Sequence, residues 1–195
     1  DHLEFLLEAM GEPRWLEPKD EGALNTGRAS AVIKLAAEKA GWGKPLPKGR
    51  GLGLAFFFSH SGHVAEVADV SVSADRKVTV NRITVAADVG PVINMLNAEH
   101  QVQGATIDGL STMLGLEITM ENGRVQQENF HQYPIMRMKN APPVIDVHFI
   151  QSDFPPTGLG EPGLPPLAPA ICNAIFAATG HRVRQLPLMR ENFTV

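Results

Sequence analysis

The residues best placed to do chemistry lie in one loop, Thr157-Gly-Leu-Gly-Glu-Pro-Gly-Leu-Pro-Pro166, which sets a single carboxylate, Glu161, among glycines and prolines. Proline fixes φ near −65° and lacks an amide donor, whereas glycine lets backbone approach a ligand closely. No other carboxylate lies between Asp153 and the C-terminal side of His181. If the loop is enclosed, desolvation favours the neutral acid and raises its pKa, as a general base near neutrality requires. The alternative is a solvated glutamate in a surface turn.

A second group lies upstream. Gln101 and Gly104 stand one turn apart in a helical pattern that also contains Gly109. Two glycines inside a helix cost roughly 1 kcal/mol each relative to alanine, so each needs a packing or ligand reason. Gln101 could offer an amide donor and acceptor beside a gap for a polar cofactor edge; close helix packing across Gly104 is the competing reading. His60 and His63 have a spacing that suggests a metal pair, but on a strand they point to opposite faces and no carboxylate set accompanies them. His131 and Tyr133 lie in an aromatic and sulfur-rich stretch, a composition more common in a core.

The elements that must position these residues are legible in outline. Residues 3–10 read as a short amphipathic helix and the polar segment to Leu24 as an arm, so that 1–25 form a helix and linker and 26–195 the main domain. A helix is expected from Thr26, capped by Asn25 or Thr26 and stopped by Gly41 or Gly43. Three strands follow at 51–59, 63–73 and 77–87, with one buried face. A long helix opens near Ala98, a hairpin turns at Glu121-Asn122-Gly123, and a last strand runs within 142–150. An apolar helix then occupies 168–179, ending at Gly180, with Pro166 or Pro169 in its first turn. The order lacks a β-α repeat. It predicts an α+β fold, a mixed or mostly antiparallel sheet with helices packed on one side.

Composition excludes several classes. Lys and Arg number 17 against 21 acidic residues, without a basic block, so nucleic acid is not an expected partner. No apolar run is long enough to span a bilayer. The lone Cys172 excludes an intrachain disulfide and a multi-cysteine cluster within these residues.

Gly160-Glu-Pro-Gly163 followed by Pro-Pro-Leu-Ala-Pro-Ala-Ile-Cys-Asn-Ala-Ile-Phe-Ala-Ala-Thr-Gly resembles the C-terminal, molybdopterin-binding part of the xanthine oxidase family of molybdenum hydroxylases. Asp88-Val-Gly-Pro-Val-Ile-Asn with Gln101-Val-Gln-Gly-Ala resembles a second signature of that family. Met95 departs from it, standing where many members have proline. The likeness runs from Thr26 to Leu188 and is closest to isoquinoline 1-oxidoreductase beta subunits and bacterial aldehyde oxidoreductase large subunits.

The resemblance implies hydroxylation of an N-heterocycle or aldehyde with water. Glu161 would be the general base, and Gln101, Gly104 and Gly160 would contact the cofactor, molybdopterin cytosine dinucleotide with molybdenum. The stretch that holds His131 and Tyr133 resembles the family's segment lining the approach to the site, where either could touch substrate. Electrons would leave through an iron–sulfur small subunit. Family large subunits are several times longer, and their glycine-rich pterin clasp is absent from these residues. The chain alone is therefore expected to be inactive and without cofactor, needing the rest of the large subunit. A non-catalytic assembly module is the alternative. The compartment, cytoplasmic or periplasmic, stays open.

Overall fold

A computed structural model describes residues 1–194. Helix α1 spans His2–Met10, with the Asp1 carboxylate accepting from the amides of Leu3 and Glu4. Helix α2, Thr26–Ala40, is capped by Asn25, whose side chain accepts from the Gly27 and Arg28 amides, and it stops at Gly41 in the left-handed conformation. Strands β1 (Arg50–Ser59), β2 (Gly62–Val72) and β3 (Val78–Asp88) follow, and then helix α3, Met95–Gly115. The small strands β4 (Met120–Glu121) and β5 (Arg124–Val125) form a hairpin whose Asn122 and Gly123 both have positive φ, as a tight primed turn requires. Strand β6, Ile145–Phe149, and helix α4, Leu167–Thr179, complete the regular elements.

The main sheet has the order β1-β2-β3-β6. The first two pairings are antiparallel, with Leu54 opposite Val67 and Val64 opposite Ala87, while β6 runs parallel to β3 with Val147 opposite Val85. The fold is thus α+β with a mixed sheet, as the sequence predicts. The expectation of one buried face, with helices on one side, is corrected. Val64, Ala68, Val85 and Ala87 face a core shared with Val102 and Leu110 of α3 and Leu167, Ile171 and Ile175 of α4. On the opposite face, Val32, Ile33 and Ala36 of α2 cover Leu54, Ala65, Val67 and Ala86, with Leu3, Leu6, Leu7 and Met10 of α1 packed outside them.

The reason lies in β2, where both alternating sets contain apolar residues. Val64, Ala68 and Val70 point one way and Ala65 and Val67 the other, so despite its polar members this central strand offers apolar side chains on both faces and is covered twice. On the α4 side, Gly51 and Gly53 of β1 bring strand and helix backbones together: a Cβ at either position would collide with the main chain of α4. The Asn173 amide fastens the pair by donating to the Leu54 carbonyl at 3.1 Å.

Helix α3 begins at Met95, three residues before the expected start, because the Asn94 side chain accepts from the Asn97 amide and makes the N-cap there. Met95 therefore occupies the first helical position, where proline is also well tolerated.

Candidate functional site

The end of β3, the start of α3 and the turn between β1 and β2 converge on the loop that carries Glu161. The Thr157 amide donates to Val89 O at 3.0 Å, and the Gly158 amide donates to His60 O at 3.3 Å. Gly90 has φ 76° and lies so near the carbonyls of Phe154 and Pro155 that a side chain there would collide with them. Further along, Pro162 and Gly163 are buried, with Gly163 against Val102 and Ala105 of α3. The Leu164 amide closes the loop by donating to Glu161 O at 2.8 Å.

Gln101 reaches across from α3 and its Nε2 donates to Gly160 O at 2.9 Å, joining two residues that are 59 positions apart. The structure therefore brings Gln101, Gly160 and Glu161 together. A cleft of about 280 Å³ opens between Asn94, Asn97 and Gln101 on one side and Thr157 and Leu159 on the other.

The two helical glycines have different reasons. Gly109 is the close-packed one, since a Cβ there would lie 3.0 Å from Leu164 O and 3.3 Å from the Leu167 side chain. Gly104 is exposed and a Cβ there would meet nothing within 4 Å, so close packing does not explain it. The same holds for Gly160. Bare backbone thus faces open space on both elements that Gln101 connects.

One expectation is corrected. Glu161 is exposed rather than enclosed within these residues. The loop buries its backbone at Pro162 and Gly163 while the preceding side chain projects outward, and composition does not specify that direction. The carboxylate is still engaged, because the Ser59 hydroxyl donates to its Oε1 at 3.2 Å. His131 is exposed and Tyr133 half-buried. Their segment is anchored by the Met136 amide donating to Ser111 Oγ, ten residues and about 15 Å along α3 from Gln101. His60 and His63 also separate: His60 is exposed in the turn, whereas His63 is buried and its Nε2 accepts from the Asn25 amide at 3.0 Å. No group of three potential metal-ligating side chains occurs among the described residues.

Sequence reasoning missed the buried ionic support beneath the loop. Arg28 and Asp88, 4% and 2% exposed, form a two-pronged pair with Nε–Oδ2 2.8 Å and Nη2–Oδ1 2.9 Å. Ser152 donates to the same Oδ1 at 2.7 Å, and the Arg28 guanidinium lies 4.5 Å from the Phe154 ring centroid. Burial works to raise the Asp88 carboxyl, but hydrogen bonds from Arg28 and Ser152, with the charge of Arg28, hold it below the usual carboxylate range. His63 beside them is lowered to about 4, first by burial and then by the Arg28 charge.

Glu66 on β2 was also overlooked among its small neighbours. It is fully buried, which pushes its carboxyl well above the usual range against the opposing hydrogen bond from Thr106. The available signal was a charged residue of each kind inside otherwise apolar segments.

The residues fit a cofactor held by hydrogen bonds rather than by metal–side-chain bonds. Gln101 is fixed through its amide nitrogen, and no protein donor among the described residues reaches its amide oxygen. Gly104 and Gly160 offer an approach unobstructed by side chains, and Glu161 stands at its edge.

Comparison with known proteins gives a matching chemistry. The sequence model of the molybdopterin cofactor-binding domain matches residues 29–142, a span containing Gln101 and Gly104. The chain is 35% identical over 170 residues to isoquinoline 1-oxidoreductase subunit beta of Brevundimonas diminuta, covering 85% of the chain and 22% of that protein. It is 34% identical over 195 residues to a membrane-bound aldehyde dehydrogenase (pyrroloquinoline-quinone) of Gluconacetobacter polyoxogenes, covering 96% of the chain and 25% of that protein. The chain therefore spans about a quarter of the length of these curated relatives. Among solved structures, the aldehyde oxidoreductase of Desulfovibrio desulfuricans ATCC 27774 superposes with a TM-score of 0.57 at 28% identity, over 65% of this chain and 14% of that one.

Proposed function

Because this chain belongs to the molybdopterin cofactor-binding domain family, within the xanthine oxidase family of molybdenum hydroxylases, we propose that it supplies the base and part of the cofactor cradle of a water-dependent hydroxylase. The substrate class is an N-heterocycle or an aldehyde, the chemistry carried by the names of its relatives. Molybdenum in molybdopterin cytosine dinucleotide would supply the redox chemistry when bound. The family model supports molybdopterin as the cofactor class, in preference to the quinone in one relative's name, and the cytosine dinucleotide form is part of this proposal.

In this reading Gln101 presents its amide oxygen to the cofactor while its nitrogen stays on Gly160 O, which fixes the direction of the amide. The exposed backbone at Gly104 and Gly160 lets the cofactor approach without a Cβ between. Glu161 accepts the proton of the attacking oxygen at a carboxylate oxygen and later releases it to solvent. Covering the open face with the rest of the large subunit would exclude water from the carboxylate. Electron exit belongs to an iron–sulfur partner subunit, and the isolated 195 residues bind no molybdenum.

The observation that carries this proposal is the Gln101–Gly160 hydrogen bond, which sets the amide beside the only loop carboxylate. In the loaded enzyme, Glu161→Gln should reduce turnover at least a hundredfold while molybdenum content stays at the wild-type level. Unchanged turnover in that variant would favour an assembly module. Stoichiometric molybdenum in the purified chain would contradict the shared cradle.

A further inference from the structure

The turn between β1 and β2 has two L-residues, His60 at φ 50° and Ser61 at φ 64°, where a two-residue hairpin ordinarily takes Asn-Gly. Retaining side chains in this conformation carries a backbone cost, and such costs cluster where a side chain is needed. The turn is also fixed from outside by the Gly158 amide on His60 O, in the loop three residues before Glu161.

Ser59 Oγ lies 2.8 Å from His60 Nδ1 and 3.2 Å from Glu161 Oε1. A serine hydroxyl has one proton and a carboxylate has none to give, so the proton between Ser59 and an ionised Glu161 comes from Ser59. The contact with His60 must then be filled by a hydrogen on Nδ1. We propose that Ser59 and His60 are positioning residues for Glu161: His60 Nδ1–H holds the Ser59 oxygen, which directs the Ser59 proton at one carboxylate oxygen and fixes the orientation of the base. The inference rests on Glu161 acting as the base, and it explains how an exposed carboxylate keeps one direction without a charged partner.

The test combines a spectroscopic readout on the chain with kinetics on the loaded enzyme. At alkaline pH, where an imidazole is neutral, the ring ¹⁵N resonances of His60 should report hydrogen on Nδ1 in the unaltered chain. Ser59→Ala should move it to Nε2, the usual site, while Ser59→Thr should retain the Nδ1 form. In the loaded enzyme, Ser59→Ala and His60→Asn, which tolerates the left-handed backbone, should each lower kcat about tenfold with KM unchanged, as loss of one charge-assisted hydrogen bond predicts. Ser59→Thr should recover most of the rate.

An Nε2–H ring in the unaltered chain, or a ring unaffected by Ser59→Ala, overturns the proposal. So does a Ser59→Ala enzyme with wild-type kcat when Glu161→Gln is inactive. An active Glu161→Gln enzyme would instead remove the base assignment, a different failure.

Discussion

The side chains that define the site differ in how clearly the sequence announces them. Glu161 and Gln101 stand out by isolation and spacing, and the structure joins their neighbourhoods through Gly160. Ser59 does not, because a serine at the end of a strand carries no pattern, and its contact to Glu161 depends on a loop 102 positions away. Gly104 gives a test at this scale. A methyl there meets nothing and alanine favours a helix, so Gly104→Ala should raise the stability of the isolated chain by about 0.5–1 kcal/mol in chemical denaturation. In the loaded enzyme the same methyl occupies the proposed approach, and molybdenum content should fall. A variant that stabilises the chain and also loads fully would remove the reason for glycine at this position.

Most elements were legible because each carries its own local signal. Asn25 and Gly41 bound α2, alternation marks β3, and Asn122-Gly123 marks the small hairpin. What escaped was the number of covered faces, since Val64, Val67 and Val70 are spaced three apart and so fall on opposite sides of β2. The closeness of α4 to β1 depends on Gly51 and Gly53, and Gly53→Ala should destabilise the fold by about 1–3 kcal/mol, measured by thermal melting, as overpacking does. A melt equal to wild type would mean that α4 shifts freely on the sheet. The Arg28–Asp88 pair ties α2 to the end of β3, and through Ser152 to the segment after β6 that leads into the loop. Arg28→Ala leaves a buried carboxylate without its partner and should cost about 3–5 kcal/mol in a denaturation experiment. A cost near that of an exposed pair, below about 1 kcal/mol, would show that water reaches Asp88.

At the scale of the whole molecule, the buried histidine makes stability depend on acidity. His63 binds its proton in the fold only near pH 4, against 6.5 when free. As pH falls from 6.5 towards 4 the unfolded chain takes up a proton that the folded chain refuses, so stability should fall by about 3 kcal/mol from this group. His63→Gln, which keeps an acceptor for the Asn25 amide, should remove that part of the slope when denaturation midpoints at pH 7 and pH 4.5 are compared. An unchanged slope would place the acid sensitivity elsewhere. None of this was legible from the sequence, because the surroundings of His63 on β2 are made where the N-cap Asn25 and Arg28 of α2 meet Asp88 of β3. The same long-range closure has a kinetic consequence. Ser59 and Glu161 are 102 positions apart, and loop-closure entropy opposes such distant contacts early in folding. A nascent chain with its local helices and hairpins formed would therefore still lack the proposed cradle, and cofactor insertion would follow that closure.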